Sequence, residues 1–159
     1  MIQKTLVLLK PDAVKRGLIG EIIGRFEKAG LKIIGMKMVW VKRKLARKHY
    51  AEHTKKDFYP GLEKYITSGP VVAMVLEGID AIEVVRKIVG GTEPKTALPG
   101  TIRGDYAHIS KEWANKKGKA VPNLIHASDS LKNAKKEISV WFSKKEIHSY
   151  KTFYEDIVF

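Results

Sequence analysis

The chain has 159 residues, no cysteine and a formal net charge of +13, with 44% hydrophobic and 30% charged residues. This composition indicates a globular protein, and the lack of cysteine excludes disulfides, a thiol nucleophile and cysteine-ligated metal sites. No apolar run approaches the ~20 residues of a membrane span, and the N-terminus lacks signal-peptide features, so we expect one cytoplasmic domain over residues 1–159 that does not bind a membrane. The positive charge predicts anionic partners such as nucleotides or nucleic acid.

Hydrophobic patterning in the first half of the chain predicts alternating strands and helices. Residues 5–9 form a short apolar run typical of a buried strand, and apolar residues recur at helical spacing through residues 19–29. Residues 31–41 are rich in strand-forming residues with interleaved lysines, which favours a second strand with one wetter face. Residues 44–53 and 61–67 predict two further helices.

The second half continues this alternation around a long connection. Residues 71–76 predict a third buried strand, and Asp80 is predicted to be the N-cap of the helix that follows. Residues 92–104 contain prolines and glycines typical of a long ordered loop, a kind of segment that often carries function. Residues 123–127 predict the last strand, and an amphipathic helix follows over residues 131–142.

This order of elements predicts an α+β fold. Four strands alternating with helices are typical of a ferredoxin-like split βαβ sandwich, a four-stranded antiparallel sheet with helices packed on it. A lysine-rich segment at about residues 107–121 is predicted to be an exposed insertion, and residues 143–159 form an aromatic-rich tail. The tail has five apolar side chains that would be costly to expose, which favours assembly of several subunits: Phe153, Tyr154, Ile157, Val158 and Phe159.

His126 is the strongest candidate for a reactive side chain. It ends the last apolar run and is followed by small residues that leave room for a ligand, a context that the other four histidines lack: His49, His53, His108 and His148. Glu137 follows eleven residues later and could hold one imidazole nitrogen, leaving the other free to attack. The spacing alone leaves two alternatives open, a structural role for His126 and a merely solvated Glu137.

Hydroxyl and cationic side chains complete the candidate site. Ser128 and Ser130 can cap the next helix, and either hydroxyl can also bind a phosphate or the Glu137 carboxylate. Lys10, Arg86 and Arg103 are cations of the kind that clamp a transferring phosphoryl group, although each could equally be a surface residue. The chain contains neither a P-loop nor a GxGxxG motif, which argues against Walker and Rossmann sites.

Four segments together closely resemble the nucleoside diphosphate kinase family. They are Leu-Lys-Pro-Asp at residues 9–12, Ser-Gly-Pro-Val-Val-Ala-Met at 68–74, Pro-Gly-Thr-Ile-Arg-Gly-Asp at 99–105, and Asn-Leu-Ile-His-Ala-Ser-Asp-Ser at 123–130. The resemblance runs from about residue 2 to residue 142. It implies that His126 takes the γ-phosphate of ATP, GTP or another nucleoside triphosphate as a pros-phosphohistidine. The phosphate then passes to a nucleoside diphosphate in a ping-pong reaction with broad base specificity.

The resemblance also implies roles for the surrounding residues. Tyr50 matches the tyrosine beside the catalytic histidine, Glu137 matches the glutamate that orients it, and Ser128 and Ser130 support it. The implied nucleotide-binding residues are Lys10, Phe58, Leu62, Arg86, Thr92, Arg103 and Asn123, of which Lys10 also counts as catalytic. Phe58 would stack on the base, with Leu62 at the same entrance. Mg²⁺ is expected to bind through the nucleotide phosphates, with no ligand from a protein side chain.

The family further implies a homo-oligomer, a hexamer built as a trimer of dimers, with tetramers as the alternative. The insertion at about 107–121 departs from the usual family pattern, resembles archaeal-type members, and prevents placement of the second apolar contact with the base. Two other functions remain open from the residues. A nucleic-acid-binding module would use the positive charge, although no specific motif supports one. A non-catalytic nucleotide binder would be expected to have lost part of the site.

Overall fold

Four strands and a series of helices alternate along the chain in the computed structural model, which describes residues 1–158. The strands are β1 (Ile2–Leu9), β2 (Lys32–Trp40), β3 (Pro70–Ile79) and β4 (Ile125–Ala127). The helices are α1 (Pro11–Lys15), α2 (Ile19–Lys28), α3 (Arg43–His49), α4 (Tyr59–Ile66), α5 (Ala81–Val89), α6 (Ile102–Tyr106), α7 (Lys111–Lys116), α8 (Leu131–Trp141) and α9 (Glu155–Val158). Short 3₁₀ turns occupy Ala51–His53, Pro94–Thr96 and Lys144–Glu146.

The strands form one sheet in the order β2-β3-β1-β4, and all neighbours in it are antiparallel. This order and the helices on both faces confirm the predicted α+β, ferredoxin-like fold. None of the helices in residues 1–158 has the length and apolar character needed to cross a bilayer.

Alternate residues of the central strands divide the core between the two faces of the sheet, because successive side chains of a strand point to opposite sides. Val7 and Leu9 of β1 pack against α2 and α5 on one face. Leu6 and Leu8 pack on the other face with buried residues of α3, α4 and α8. Different helices therefore cover the two faces of the sheet, and α3 and α8 lie on the same face.

Three local features differ from the sequence predictions. Pro11 begins the short helix α1, which the sequence pattern did not predict, and a missing backbone N–H costs nothing at the first helical position. The predicted loop over 92–104 contains a 3₁₀ turn and the start of α6. Asp80 occupies the predicted N-cap position of α5, but it has a left-handed conformation and its side chain does not cap the helix. Instead its carboxylate binds the N-terminal ammonium, and the Gln3 side chain accepts the Ile82 N–H.

The insertion and the tail are both structured in part. The helix α7 lies inside the predicted insertion, begins at the Ser110 cap and leaves Trp113 half exposed. In the tail, the Tyr154 ring fills the space beside Gly30, and Glu155 forms an ion pair with Lys32. Phe153 is 94% exposed and Ile157 83% exposed in this single chain. Phe159, another of the five tail residues predicted to be costly to expose, lies outside the described residues.

Candidate active site

The register of the sheet decides which way His126 points. His126 pairs with Leu8 of β1, and antiparallel partners place their side chains on the same face. Leu8 faces the cluster that packs under α3 and α8. The imidazole of His126 therefore lies on the same side of the sheet as these two helices, which bring the remaining side chains to it.

Glu137 of α8 binds one nitrogen of His126, as predicted. Its Oε2 lies 3.0 Å from the His126 Nε2 and 2.5 Å from the Ser128 hydroxyl oxygen. Because a carboxylate only accepts hydrogen bonds, the Nε2 carries the proton and the Nδ1 is left with its lone pair. Ser128 is fully buried and also accepts the Leu6 N–H, so β1 fixes the hydroxyl that holds Glu137. Ser130 takes the other predicted role, capping α8 through the Asn133 N–H.

A strained turn directly before β4 sets the direction in which the strand starts. Leu124 has a φ of +69°, and the Ile125 N–H donates to the Asn123 carbonyl at 2.8 Å, which is a γ-turn with positive φ. Such a conformation costs of order 1–3 kcal/mol for a residue with a side chain. It is held from outside, since the Asp12 carboxylate accepts the Leu124 N–H at 3.0 Å and the Lys10 N–H donates to the Leu124 carbonyl at 2.8 Å.

Three cations lie along the cleft that His126 lines. Lys10 and Arg103 are buried, and Arg86 is exposed at the same cleft. Burial, and then the charge of Arg103, lowers the pKa of Lys10 to about 7. Burial, and then the charge of Arg86, lowers the pKa of Arg103 to about 10. Cations that repel one another at a partly buried site favour a bound anion, which would relieve both the repulsion and the desolvation.

Arg103 also holds the backbone that carries the histidine, which the sequence did not reveal. Its guanidinium donates to three carbonyl oxygens, those of Asn123 at 3.1 Å, Gly90 at 3.1 Å and Ile125 at 2.6 Å. A guanidinium has five N–H groups, so two remain for a ligand. Asn123 links this cluster by accepting from the Lys10 ammonium at 2.7 Å and donating to the Thr92 carbonyl at 2.8 Å.

His49 of α3 and His53 of the following 3₁₀ turn both lie at the site. The sequence pattern sets them apart from His126, because neither follows a strand or precedes small residues as His126 does. The His49 ring lies 4.6 Å from the His126 ring, and His53 lines the same cleft as His126. Tyr50 lines it too, and burial raises the pKa of its phenol, so the hydroxyl keeps its proton. Within residues 1–158 the Tyr50 hydroxyl is buried without a hydrogen-bond partner. A buried donor without an acceptor is costly, and a bound phosphate would supply the acceptor.

Phe58 and Leu62, predicted to contact the base, are not among the described residues that line the two clefts at His126. The Phe58 ring is 56% exposed directly before α4 and lies 5.6 Å from the His53 ring. Leu62 of α4 packs against the core under α3 and α8. The rings of His53 and Phe58 thus extend the histidine cleft outward, and the contact of Phe58 and Leu62 with a base stays a prediction.

One group of side chains has the ligand types of a metal site. His49, His126 and Glu137 each offer a ligand atom, these atoms lie within 4.8 Å of one another, and in the part of the chain that the structure describes no second such group occurs. Mg²⁺ prefers oxygen ligands, so a set with two imidazoles does not fit it. The cationic cleft fits an anionic ligand.

Comparison with known proteins identifies the family. Residues 3–147 match the family model described as nucleoside diphosphate kinase. The nucleoside diphosphate kinase of Pyrococcus furiosus is 58% identical over 149 residues, which cover 94% of this chain and 88% of that protein. That of Archaeoglobus fulgidus is 51% identical over 159 residues, covering 99% and 98%.

Solved structures agree with these sequence matches. The Borrelia burgdorferi nucleoside diphosphate kinase, in a transition-state mimic with vanadate and ADP, has a TM-score of 0.93 at 46% identity and covers 97% of this chain and 95% of that one. The halophilic enzyme of Halobacterium salinarum, in complex with CDP, has a TM-score of 0.87 at 41% identity, covering 100% and 99%. The chain therefore belongs to the nucleoside diphosphate kinase family, and it is an enzyme that transfers phosphate between nucleotides.

Proposed function

We propose that the enzyme transfers the γ-phosphate of a nucleoside triphosphate to a nucleoside diphosphate in a ping-pong reaction through a phosphohistidine at His126. The observation that carries this proposal is the position of His126 in a cleft shared with three cations, with its Nε2 held by Glu137. A nucleophile with one nitrogen fixed, beside groups that stabilise phosphate charge, is what covalent phosphoryl transfer requires.

The hydrogen bond that the His126 Nε2 donates to Glu137 leaves Nδ1 as the proposed reacting atom. Because Nε2 carries the proton, the Nδ1 lone pair attacks the γ-phosphorus, and the bond to the bridging oxygen breaks with its electron pair leaving on the diphosphate. In the second half-reaction a terminal oxygen of the acceptor diphosphate attacks the same phosphorus, and the P–N bond breaks to regenerate the Nδ1 lone pair. The intermediate is therefore a pros-phosphohistidine, and Glu137 keeps the imidazole proton on Nε2 throughout.

The polar residues around His126 are proposed to bind the phosphates and the ribose. Charge spreads over the transferring group, so the cations Lys10, Arg86 and Arg103 stabilise it best when they are fixed before the reaction. Asn123 already contacts Lys10, and Tyr50 lies in a second cleft that His126 also lines. Thr92 lines the cleft beside Arg86 and completes the set.

Broad base specificity follows from the proposed contacts. Phe58 offers an exposed aromatic face, and every base has a π-face that can stack on it. Leu62, four residues later in α4, would add only an apolar contact. The relatives described above hold CDP in one case and ADP in the other, a pyrimidine and a purine nucleotide. We therefore propose that phosphates and ribose supply most of the recognition.

Mg²⁺ is proposed to enter with the nucleotide. The polar lining of the cleft consists mainly of cationic and amide groups, with Asp129 as its single carboxylate among the described residues. Mg²⁺ bound through phosphate oxygens would neutralise part of the triphosphate charge. Lys10, Arg86 and Arg103 are then left to neutralise the oxygens that the ion does not cover.

We propose that the enzyme is a hexamer, the assembly that the family resemblance implies. Large apolar side chains remain exposed in this single chain, among them Leu98 in the connection before α6 at 73%, which supports assembly into an oligomer. We also propose that the chain works in the cytoplasm as one domain over residues 1–159, in agreement with its lack of cysteine.

Phosphoenzyme formation tests the mechanism. After incubation with γ-labelled ATP, we expect an acid-labile phosphoenzyme that a chase with mixed diphosphates discharges, and His126→Ala should form none. Glu137→Gln should slow phosphorylation about 10- to 100-fold, the size of a lost charge-assisted hydrogen bond. Normal transfer by His126→Ala would contradict the proposal, and label on Nε2 in the wild type would contradict the assignment of Nδ1.

A further inference from the structure

His49 is the nearest aromatic neighbour of His126, and it comes from a different element. It ends α3, and its ring meets the His126 ring at 88° with the centroids 4.6 Å apart. The His49 ring also contacts its neighbour Tyr50, with centroids 4.5 Å apart, and Trp141 of α8, with centroids 5.6 Å apart. The helices α3 and α8 thus meet in a chain of three rings that ends at the proposed nucleophile.

Trp141 fixes the tautomer of His49. An indole N–H can only donate, and the Trp141 Nε1 lies 3.2 Å from the His49 Nδ1. The Nδ1 therefore accepts, and the proton of the neutral ring is on Nε2. Burial, and then the neighbouring His126 and Lys10, lowers the pKa of His49, so the ring stays neutral at physiological pH. The Nε2 is itself buried, and within the described chain it has no hydrogen-bond partner.

This tautomer excludes His49 as a metal ligand, even though His49, His126 and Glu137 have suitable ligand types. A metal ion needs a nitrogen lone pair. The lone pair on the His49 Nδ1 accepts the Trp141 N–H, and the Nε2 carries a proton.

We propose that His49 is a positioning residue for phosphotransfer, a neutral ring that Trp141 locks in place and that holds the tilt of the His126 ring. The inference rests on the proposed function of His126. Glu137 restrains the imidazole at one atom, which leaves the ring free to tilt about that hydrogen bond. The perpendicular contact with His49 restrains this tilt, so the two contacts together fix the direction of the Nδ1 lone pair.

The tautomer is testable by NMR of the full-length enzyme with ¹⁵N-labelled histidine. We expect His49 to give the chemical shifts of a neutral imidazole with the proton on Nε2, and Trp141→Phe to convert it to a mixture of tautomers. His148→Gln, at an exposed position, should leave the pattern unchanged. A proton on the Nδ1 of wild-type His49, or tight Zn²⁺ binding that requires His49, would overturn the inference.

Kinetics then separates positioning from binding. We expect His49→Leu to lower the rate constant of His126 phosphorylation about tenfold, the upper size of one aromatic pair, with an unchanged nucleotide dissociation constant. His49→Gln keeps a planar group and an oxygen that can accept the Trp141 N–H, and it should recover most of the rate. Trp141→Phe keeps an aromatic ring but removes the indole N–H, and it should lower the same rate constant at least a few-fold, about the worth of one neutral hydrogen bond.

Thermal unfolding of each variant shows whether the fold is intact, and Trp141→Phe remains informative if His49→Leu does not fold. Wild-type phosphorylation rates in folded His49→Leu and Trp141→Phe would overturn the inference, as would a loss confined to nucleotide affinity. Failure of the wild-type enzyme to form any phosphoenzyme would instead contradict the proposed function, so the two failures are distinguishable.

Discussion

Lys10 shows how one residue of the cleft is prepared for an anion. Its ammonium lies buried at the end of β1 beside Arg103, and burial with this neighbour lowers its pKa to about 7. In the unfolded chain the pKa is 10.5. Between these two values the unfolded state binds more protons, so the free energy of unfolding of the nucleotide-free enzyme should increase as the pH rises from about 7 to 10.5.

Nucleotide binding should reverse this shift and take up a proton. The phosphates favour the charged ammonium, so at about pH 8 Lys10 changes from mainly neutral to protonated, while the phosphates are already ionised. We expect uptake approaching one proton per site, measured by titration calorimetry in buffers of different ionisation enthalpy. It should decrease towards zero at about pH 6, where the free enzyme already carries the proton.

Lys10→Arg is the matched control, because a guanidinium stays protonated at this pH and should abolish the uptake. In the wild type, apparent nucleotide affinity should fall as the pH rises above about 7, and the variant should lose this dependence. Equal proton uptake by both proteins would show that another group titrates.

The sequence predicts some residue roles and misses others for a physical reason. His126 and Glu137 were paired because a strand followed directly by a helix can return one side chain to the other. His49 was missed because its contact with His126 depends on α3 and α8 meeting under the sheet, which local spacing does not encode. The one indication of His49 in the sequence was its position directly before Tyr50, a predicted site residue. Arg103 was predicted to be a cation of the cleft, but its bonds to carbonyls required the folded turn.

At the scale of elements, the turn before β4 is the feature that orients the site. Leu124 is fully buried in a left-handed conformation, and Asp12 of α1 holds it by accepting the Leu124 N–H. The same carboxylate accepts the Tyr65 hydroxyl of α4. A helix of five residues thus ties β4 to α4, although it is too short to show a hydrophobic period in the sequence.

Asp12→Ala should weaken this turn. It leaves the Leu124 N–H and the Tyr65 hydroxyl without their acceptor, so we expect the free energy of unfolding to fall by about 2 kcal/mol. The phosphorylation rate of His126 should also fall, because Leu124 lies two residues before it. Denaturant titration and phosphoenzyme kinetics measure the two effects.

Asp156→Ala removes a carboxylate of the exposed tail and should change neither quantity. Stability and rate equal to those of the wild type in Asp12→Ala would show that the turn holds without its carboxylate. A loss of stability with a normal rate would limit Asp12 to a structural role.

Long elements were predicted well because their periods extend over several turns or pleats. The predicted strand 31–41 corresponds to β2, and the predicted helix 19–29 to α2. The Asp80 side chain does not cap α5, because it binds two partners that are distant in the sequence, the N-terminal ammonium and the Gln3 amide. The single predicted domain over residues 1–159 stays a proposal.

At the scale of the whole molecule, the β2 edge of the sheet carries an apolar stripe that the sequence did not reveal. Met36, Met38 and Trp40 of β2 are 55%, 58% and 65% exposed, and β2 ends the strand order. Alternate residues of a strand share a face, so these three side chains lie in one row. The tail binds the start of β2 through the His148 N–H and the Ile34 carbonyl, and the apolar row lies beyond that contact. An exposed apolar row on an edge strand is a surface that proteins usually cover, and we propose that a second copy of the chain covers it.

Met38→Glu should therefore disrupt the proposed hexamer. In a two-fold contact each substitution occurs on both subunits, so two carboxylates enter the same apolar interface. The burial of the two Met38 side chains, which contributes about 1.5–3 kcal/mol for each, is also lost. We expect sedimentation to show a hexamer for the wild type and species no larger than trimers for the variant. Ile79→Glu, an exposed apolar residue of β3 outside the stripe, is the control and should remain hexameric. A wild-type chain that sediments at its monomer mass of 17.9 kDa would contradict the hexamer, whereas a hexameric Met38→Glu would place the subunit contact elsewhere.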